Sequence, residues 1–242
     1  MEVKYGCIHG GYPNYFVVSE VALLIYEPKN RKIFIEQFST NADLDLVYVH
    51  AKTNELGHTI GRDKFVYNLR TRRRKEFDED FKLTEDQIKQ LFQNSYGARK
   101  AINGFFYKVL KKYRFRDIIT FDGKRDVFLV EKQGVNLRGK KIYDIQKTLT
   151  KKCNYLFSMN KLAVATGFET TEDAIKSNNL SFYLHPMAGK HVYPGSAAWD
   201  AARMFIVHQE FVQHQDNFLT KAALLLQKIQ DSEEAEKAEK AK

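Results

Sequence analysis

A run of apolar and β-branched residues near the N-terminus constrains the fold most strongly. Residues 16–26 read FVVSEVALLIY, and a run of this length and composition is typical of a central strand of a sheet. The chain begins with a short strand candidate that runs into a glycine-bearing turn. Residues 32–40 (KIFIEQFST) form another candidate after the turn-forming residues 27–31. Three neighbouring strands joined by short turns predict an antiparallel meander.

The rest of the chain alternates helices with short strands. Thr84 and Gln87 have the spacing of a capping box, which predicts a helix start, and residues 41–79 and 169–195 are less regular. The other expected elements are a helix from Ala98 to Tyr113, strands at 117–121 and 141–145, a helix beginning near Asp144 or Ile145, a helix at 160–168 ending at Gly167, and a long helix from Ala197 to about Gln230. We expect one α/β domain in residues 1–230 and a charged tail in residues 231–242.

The charge balance favours a polyanionic partner. The chain has 39 basic and 30 acidic residues among 242, a net charge of +9, which bears on association rather than on fold. Cys7 and Cys153 lie too far apart for a CxxC redox pair or a cysteine-based zinc site. The sequence has no apolar run of membrane-spanning length and no signal-peptide core, so we expect a cytoplasmic protein without a membrane partner.

One basic run stands out from this background. Its cations are Arg70, Arg72, Arg73, Arg74 and Lys75. Such a run is most often a solvated face, yet phosphate contacts have the same composition. The aromatic residues around it could stack on bases or form core: Phe65, Tyr67, Phe77 and Phe81. Other basic segments that could contact phosphate are residues 108–116, Lys124, Arg125, Lys140 and Lys141.

Asp126 lies at a position suited to metal chemistry. It follows the strand at 117–121 and a turn at 122–124, and it stands at the start of an amphipathic segment. A carboxylate held there by the backbone can bind a divalent cation. The alternative is a helix N-cap, which also favours Asp.

Two segments resemble motifs of the DnaQ-like (DEDDh) 3′–5′ exonucleases. TFDGKRDVFL (Thr120 to Leu129) resembles the second motif and GSAAWDAARMF (Gly195 to Phe205) the third. The order of elements from about residue 2 to 212 is also similar to that of the family. The resemblance implies a ribonuclease H-like mixed sheet flanked by helices, with a long C-terminal helix. It implies Asp126 and Asp200 as ligands of Mg²⁺ or Mn²⁺ and, from Glu2-Val3-Lys4 as the first motif, Glu2 as a further catalytic carboxylate.

The sequence departs from the family at two positions that matter for catalysis. Lys4 stands where the second carboxylate of the first motif is expected, and Gly195 stands where the general-base histidine is expected. Glu2, Lys4, Asp126 and Asp200 together carry a formal charge of −2, so we expect at most one ion where the family's mechanism uses two. Lys4 could instead replace a metal by pairing with Asp126 or Asp200.

Other residues could compensate for these losses. His191, His185 or His208 could supply the base, and Glu20, within a segment similar to the family's second strand, could supply a carboxylate if the first motif is aligned differently.

Two functional hypotheses follow. The first is a degenerate exonuclease-like domain that binds single-stranded DNA or RNA, or a partner protein, without efficient cleavage, and then needs no metal. The second is an active Mg²⁺- or Mn²⁺-dependent 3′–5′ exonuclease on single strands. A basic surface that serves solvation alone is a third reading, and the long final helix could pair with a second copy in a homodimer.

Overall fold

The computed structural model describes residues 1–8, 15–78 and 84–240. For residues 2, 3, 5–8, 15, 16, 236, 239 and 240 it describes the backbone alone. Phe81 therefore lies outside the described residues, as do the side chains of Glu2 and Cys7.

The described residues form a mixed α/β structure. Its strands are β1 (Glu2–Ile8), β2 (Tyr15–Glu27), β3 (Lys32–Ser39), β4 (Asp45–Thr53), β5 (Thr59–Asn68), β6 (Arg74–Glu76), β7 (Asp117–Thr120), β8 (Lys141–Asp144), β9 (Glu169–Thr170), β10 (Ala174–Lys176) and β11 (Ser181–Tyr183). Its helices are α1 (Glu85–Tyr113), α2 (Lys124–Lys132), α3 (Ile145–Cys153), α4 (Met159–Thr166), α5 (Pro186–Gly189), α6 (Ala197–Gln213) and α7 (Gln215–Lys240). The predicted α/β class and the long C-terminal helix are confirmed.

The largest sheet has the strand order β3-β2-β1-β4-β5-β6, and all its pairings are antiparallel. The predicted meander of β1, β2 and β3 is confirmed. A separate parallel pair, β7 and β8, lies beside the start of β1, because the Met1 amino group donates a hydrogen bond to the Ile119 carbonyl at 2.9 Å.

β2 is covered by helices on both faces. Val21 and Leu23 belong to a core shared with buried residues of α1 and α2. Ala22 packs with Ala197, Ala198 and Ala201 at the start of α6. Because side chains alternate along a strand, α2 and α6 lie over opposite faces of β2.

The predicted break between two helices in residues 84–113 is wrong. Thr84 and Gln87 form the expected capping box, but α1 then continues for 29 residues to Tyr113. Its buried residues recur at helical spacing along one continuous stripe: Leu91, Ala98, Ile102, Phe106 and Val109. Burial of this stripe stabilises the whole helix in spite of Gly97 and Gly104, which weaken the local preference for helix.

The predicted single helix from Ala197 to Gln230 is in fact two. His214, at φ −135° and ψ 46°, interrupts it and separates α6 from α7. The break lets α7 pack against α4, where Leu225 and Ile229 contact Ala165. The sequence around His214 has no Gly or Pro that would predict the interruption.

The two passages predicted to be less regular contain strands. Residues 41–79 include the β4–β5 hairpin and β6, and residues 169–195 include the small antiparallel sheet β11-β10-β9. Within the part of the chain that the structure describes, helices of membrane-spanning length and hydropathy are absent.

Candidate functional site

An ion pair joins strand β1 to helix α6. Lys4 on β1 lies opposite Glu20 on β2 in the strand register, and its ammonium donates a hydrogen bond to Oδ2 of Asp200. Asp200 is in the first turn of α6, because Ser196 caps that helix by accepting a hydrogen bond from the Trp199 N–H at 3.0 Å. The sequence left Asp126 and Asp200 open as partners of Lys4, and the structure pairs it with Asp200.

A second cation holds the other oxygen of Asp200. Arg203 Nη1 donates to Oδ1 of Asp200 at 2.9 Å, and its Nη2 donates to Oδ1 of Asn160. The guanidinium carbon lies 4.4 Å from the centre of the Trp199 ring. Arg203 is only 6% exposed, so Asp200 compensates a buried positive charge.

Glu20 lies beside this ion pair in a largely buried position. It accepts hydrogen bonds from Gln37 Nε2 and from the backbone N–H of Ala197 at the start of α6. Burial raises the pKa of the Glu20 carboxyl above its ordinary value of 4.5, and the Ala197 N–H and the Lys4 charge only partly offset the effect.

The basic run reaches the same site through its turn. Arg72 adopts a left-handed conformation (φ 58°) between β5 and β6. Burial raises the pKa values of Glu20, Tyr48 and Tyr193, and the nearby Arg72 charge partly counteracts this in all three groups. The Tyr48 pKa reaches about 12. The Arg72 charge therefore acts on Glu20, Tyr48 and Tyr193, and of these three side chains Tyr193 is exposed.

The other members of the basic run are exposed and partly engaged. Arg70 faces Asp43 at 3.7 Å and Lys75 faces Asp45 at 3.6 Å, while the Arg74 guanidinium lies 4.1 Å from the centre of the Phe65 ring. Surface ion pairs of this kind are weak and salt-sensitive, so phosphate can compete for these cations.

The aromatic residues near the run are only partly buried. Lys64 Nζ lies 5.3 Å from the centre of the Phe77 ring, and Tyr67 packs edge-on to Tyr48 at 5.9 Å. Phe65 packs against Tyr48 at 5.8 Å. These rings support the β4–β5 hairpin and leave part of their surface available.

Asp126 is the third residue of α2, and Gly123 occupies the N-cap position. The N-cap interpretation of Asp126 is therefore wrong. Asp126 is 8% exposed, whereas the neighbouring Lys124 and Arg125 are exposed. Its helix packs on the face of β2 opposite to the one that α6 covers.

The residues around Asp200 do not fit a divalent metal. Mg²⁺ and Mn²⁺ need carboxylate oxygens to bind directly, but Lys4 and Arg203 occupy the two oxygens of Asp200. Among the described residues, the structure has no group of three or more His, Cys, Asp or Glu side chains arranged to hold a metal ion. The Glu2 side chain is not among them.

Gly195 and the three candidate histidines differ in conformation and in hydrogen bonding. Gly195 has φ +89°, a conformation strained for any L-residue such as histidine. His185 accepts a hydrogen bond from the Met187 N–H at 3.2 Å. His191 is exposed, and its carbonyl accepts a hydrogen bond from Ser196. His208 lies about two turns beyond Asp200 on α6, and burial lowers its pKa.

Sequence reasoning missed several residues of this site. Arg203, Asn160, Gln37 and Tyr193 were not predicted. Arg203 had a usable signal, since it lies three residues after Asp200 in a predicted helix, where opposite charges meet. Gln37 and Asn160 come from distant elements and had none.

Comparison with known proteins identifies no relative of this chain. No protein-family model matches the chain, and no curated protein or solved structure is significantly similar to it. What the structure defines is an α/β protein in which a carboxylate of helix α6, Asp200, is ion-paired with Lys4 of the antiparallel sheet and with Arg203.

The raised pKa of Glu20 predicts a pH dependence of stability. A carboxyl whose pKa rises on folding contributes stability that is fully present below 4.5 and is lost as pH increases through the folded-state pKa. Glu20→Gln should therefore flatten the decline of unfolding free energy above pH 4.5 and gain stability relative to the parent at neutral pH. Urea unfolding between about pH 4 and about pH 8 measures this. Glu131→Gln, at an exposed position of α2, is the control and should keep the parent profile; a Glu20→Gln profile parallel to the parent would contradict the prediction.

Proposed function

We propose that this protein binds single-stranded nucleic acid through a degenerate exonuclease-like site in which an ion pair takes the place of the catalytic metal. The observation that carries the proposal is that both carboxylate oxygens of Asp200 accept hydrogen bonds from cationic side chains. Lys4 holds its Oδ2 and Arg203 holds its Oδ1 at 2.9 Å. Asp200 corresponds to a metal-binding aspartate in the motif that this segment resembles.

The chemistry of phosphodiester hydrolysis explains why this arrangement disfavours cleavage. Two-metal catalysis requires carboxylates that compensate the charge of two ions. At Asp200 the compensating charges are already the Lys4 ammonium and the Arg203 guanidinium. Gly195 stands at the position where the family has its general-base histidine, and glycine cannot accept a proton. General-base assistance is typically worth about 10²- to 10⁴-fold in rate.

The order of elements supports the exonuclease-like interpretation. Three antiparallel strands come first, the long helix α1 comes next, then the strand β7 with helix α2, and α6 comes later. This is the order of elements in the family that the chain resembles. The hydrogen bond from the Met1 amino group to the Ile119 carbonyl brings β7 next to β1. The β4–β5–β6 meander is an addition between β3 and α1.

Arg72 supports a nucleic-acid ligand. Its charge acts on Glu20 and on Tyr193, and Tyr193 is 54% exposed. Cations that track a phosphate backbone beside aromatic rings that stack on bases are the usual elements of single-strand binding. The net charge of +9 favours the same class of ligand.

A single experiment separates binding from cleavage. A labelled DNA or RNA strand of about 20 nucleotides, long enough to cross more than one binding site, is incubated with the full chain in Mn²⁺. We expect binding that weakens with added salt and no shortening of the strand. Shortening that is lost in both Asp126→Ala and Asp200→Ala would instead show an active metal-dependent exonuclease, and salt-independent binding would contradict the nucleic-acid role.

A further inference from the structure

A second site lies where β2 extends beyond its partner. β1 pairs with β2 from Ile8↔Tyr15 to Glu2↔Ala22, while β2 itself continues to Glu27. On the other edge β3 pairs with β2 as far as Glu27↔Lys32. Within the described part of the chain, the β1-side edge of residues 23–27 has no strand paired to it.

β7 forms the opposite wall of this gap. The first two residues of the chain lie between the two walls, since Glu2 pairs with Ala22 and the Met1 amino group bonds to the Ile119 carbonyl at 2.9 Å. β2 and β7 are therefore held two strand spacings apart at this point, or about 9.5 Å. That width accepts one extended chain.

A cleft of about 710 Å³ continues from Met1 along the line of β1. Residues 23–26 of β2 line one side of it and residues 115–119 line the other. Moving away from Met1, the lining runs forward along β2 and backward along β7. The space thus follows the direction that an extension of β1 would take, antiparallel to β2.

The side chains around the cleft suit an apolar strand. Leu23 and Ile25 point into the core shared with α1 and α2, while Leu24 and Tyr26 point into the core shared with α6. A strand added beside them would have apolar neighbours on both faces, because its side chains alternate in the same way. On the α6 side the lining residues are Met204, Phe205 and His208.

The charged side chains that line the cleft are mostly positive, and the Met1 ammonium lies at the end where β1 begins. Arg31, in the turn after β2, and Arg116, just before β7, line it together with Asp117. The two guanidinium groups outnumber the one carboxylate. An acidic residue at the end of the strand far from Met1 would complement them.

We propose that this cleft binds an extended apolar segment of a partner protein, which adds as a strand between β2 and β7. The segment spans about five residues, or about 17 Å, runs antiparallel to β2, and has an acidic residue at its N-terminal end. Backbone hydrogen bonds to two strand edges supply affinity, and the alternating side chains supply specificity. This site does not depend on the proposed nucleic-acid function.

The test uses a fluorescent peptide of about eight residues, enough to fill the cleft with short flanks. Its centre reads Glu-Val-Ile-Val-Thr, and binding to the full chain is followed by anisotropy. We expect saturable binding that becomes at least about 10-fold weaker when alternate peptide nitrogens are methylated, since methylation removes backbone donors. Amide hydrogen exchange should slow at residues 23–27 and 115–118.

Charge swapping provides the matched comparison. Arg116→Glu should weaken binding of the Glu peptide and strengthen binding of a peptide with Lys in its place, whereas Arg138→Glu, an exposed arginine outside the cleft, should change neither. The proposal would be overturned if the methylated peptide bound equally well or if exchange protection appeared elsewhere. It would also be overturned by the absence of binding at about 1 mM peptide, a concentration that still detects weak complexes. Self-association of the chain that buries the cleft would overturn it as well.

Discussion

Replacing Asp200 with alanine is expected to lower the free energy of unfolding by about 3–5 kcal/mol, the usual cost of removing one partner of a buried ion pair. Arg203 would remain buried without the carboxylate that it contacts at 2.9 Å. Lys4 is more exposed, with 28% of its side chain accessible, and so contributes a smaller share because solvent screens it. Urea denaturation measures the change, provided that the slope with denaturant stays constant.

An exposed ion pair supplies the control for this prediction. Asp63 contacts Lys52 at 3.0 Å, and their side chains are 35% and 58% accessible. Asp63→Ala should cost less than about 1 kcal/mol, as exposed pairs do. An Asp200→Ala loss no larger than that of Asp63→Ala would show that Asp200 has no structural role.

Changing Arg72, Arg73 and Arg74 together to glutamine is expected to weaken single-strand binding about 100-fold in about 0.1 M salt. Each phosphate contact on a single strand contributes about 0.7 to the slope of log affinity against log salt, so the slope should fall by about 2. All three arginines are exposed at the turn before and within β6. Fluorescence anisotropy at several salt concentrations measures both quantities.

The matched control removes the same charge elsewhere. Arg138, Lys228 and Lys237 are exposed cations outside the basic turn, and their change to glutamine should leave the salt slope within about 0.5 of the parent. Equal losses in the two triple variants would mean that net charge alone, and not the basic turn, controls binding.

Local sequence signals predicted the parts of the fold that depend on local chemistry. The β1–β2–β3 meander follows from an apolar run between turn-forming residues, and the α1 start follows from the Thr84–Gln87 capping box. Gly167, at φ 60°, ends α4 as expected.

Elements that depend on tertiary packing were missed. The outer half of β4 is exposed, so its residues lack the apolar alternation of a half-buried strand. β9, β10 and β11 have only two or three residues each and carry too little pattern to detect. The break at His214 has no Gly or Pro to signal it, and beyond it α7 packs on α4.

The candidate site was predictable only in part. The sequence indicated Lys4 and Asp200 through their positions in the motifs, and their ion pair agrees with one of the two pairings considered. The convergence of Glu20 and Arg72 on the same region depends on the register of β1 with β2 and on the turn after β5. A metal role for Asp126 stays a prediction.

The stability of Asp200→Asn against the parent, measured by thermal unfolding in EDTA and in Mn²⁺, tests directly whether the ion pair takes the place of a metal. If the Lys4–Asp200–Arg203 group replaces the metal, Asp200→Asn melts lower than the parent in both conditions, and Mn²⁺ raises the melting temperature of neither protein. If Asp200 is a metal ligand, Mn²⁺ stabilises the parent by binding the folded state, and Asp200→Asn loses that gain while matching or exceeding the parent in EDTA. The second result would contradict the account.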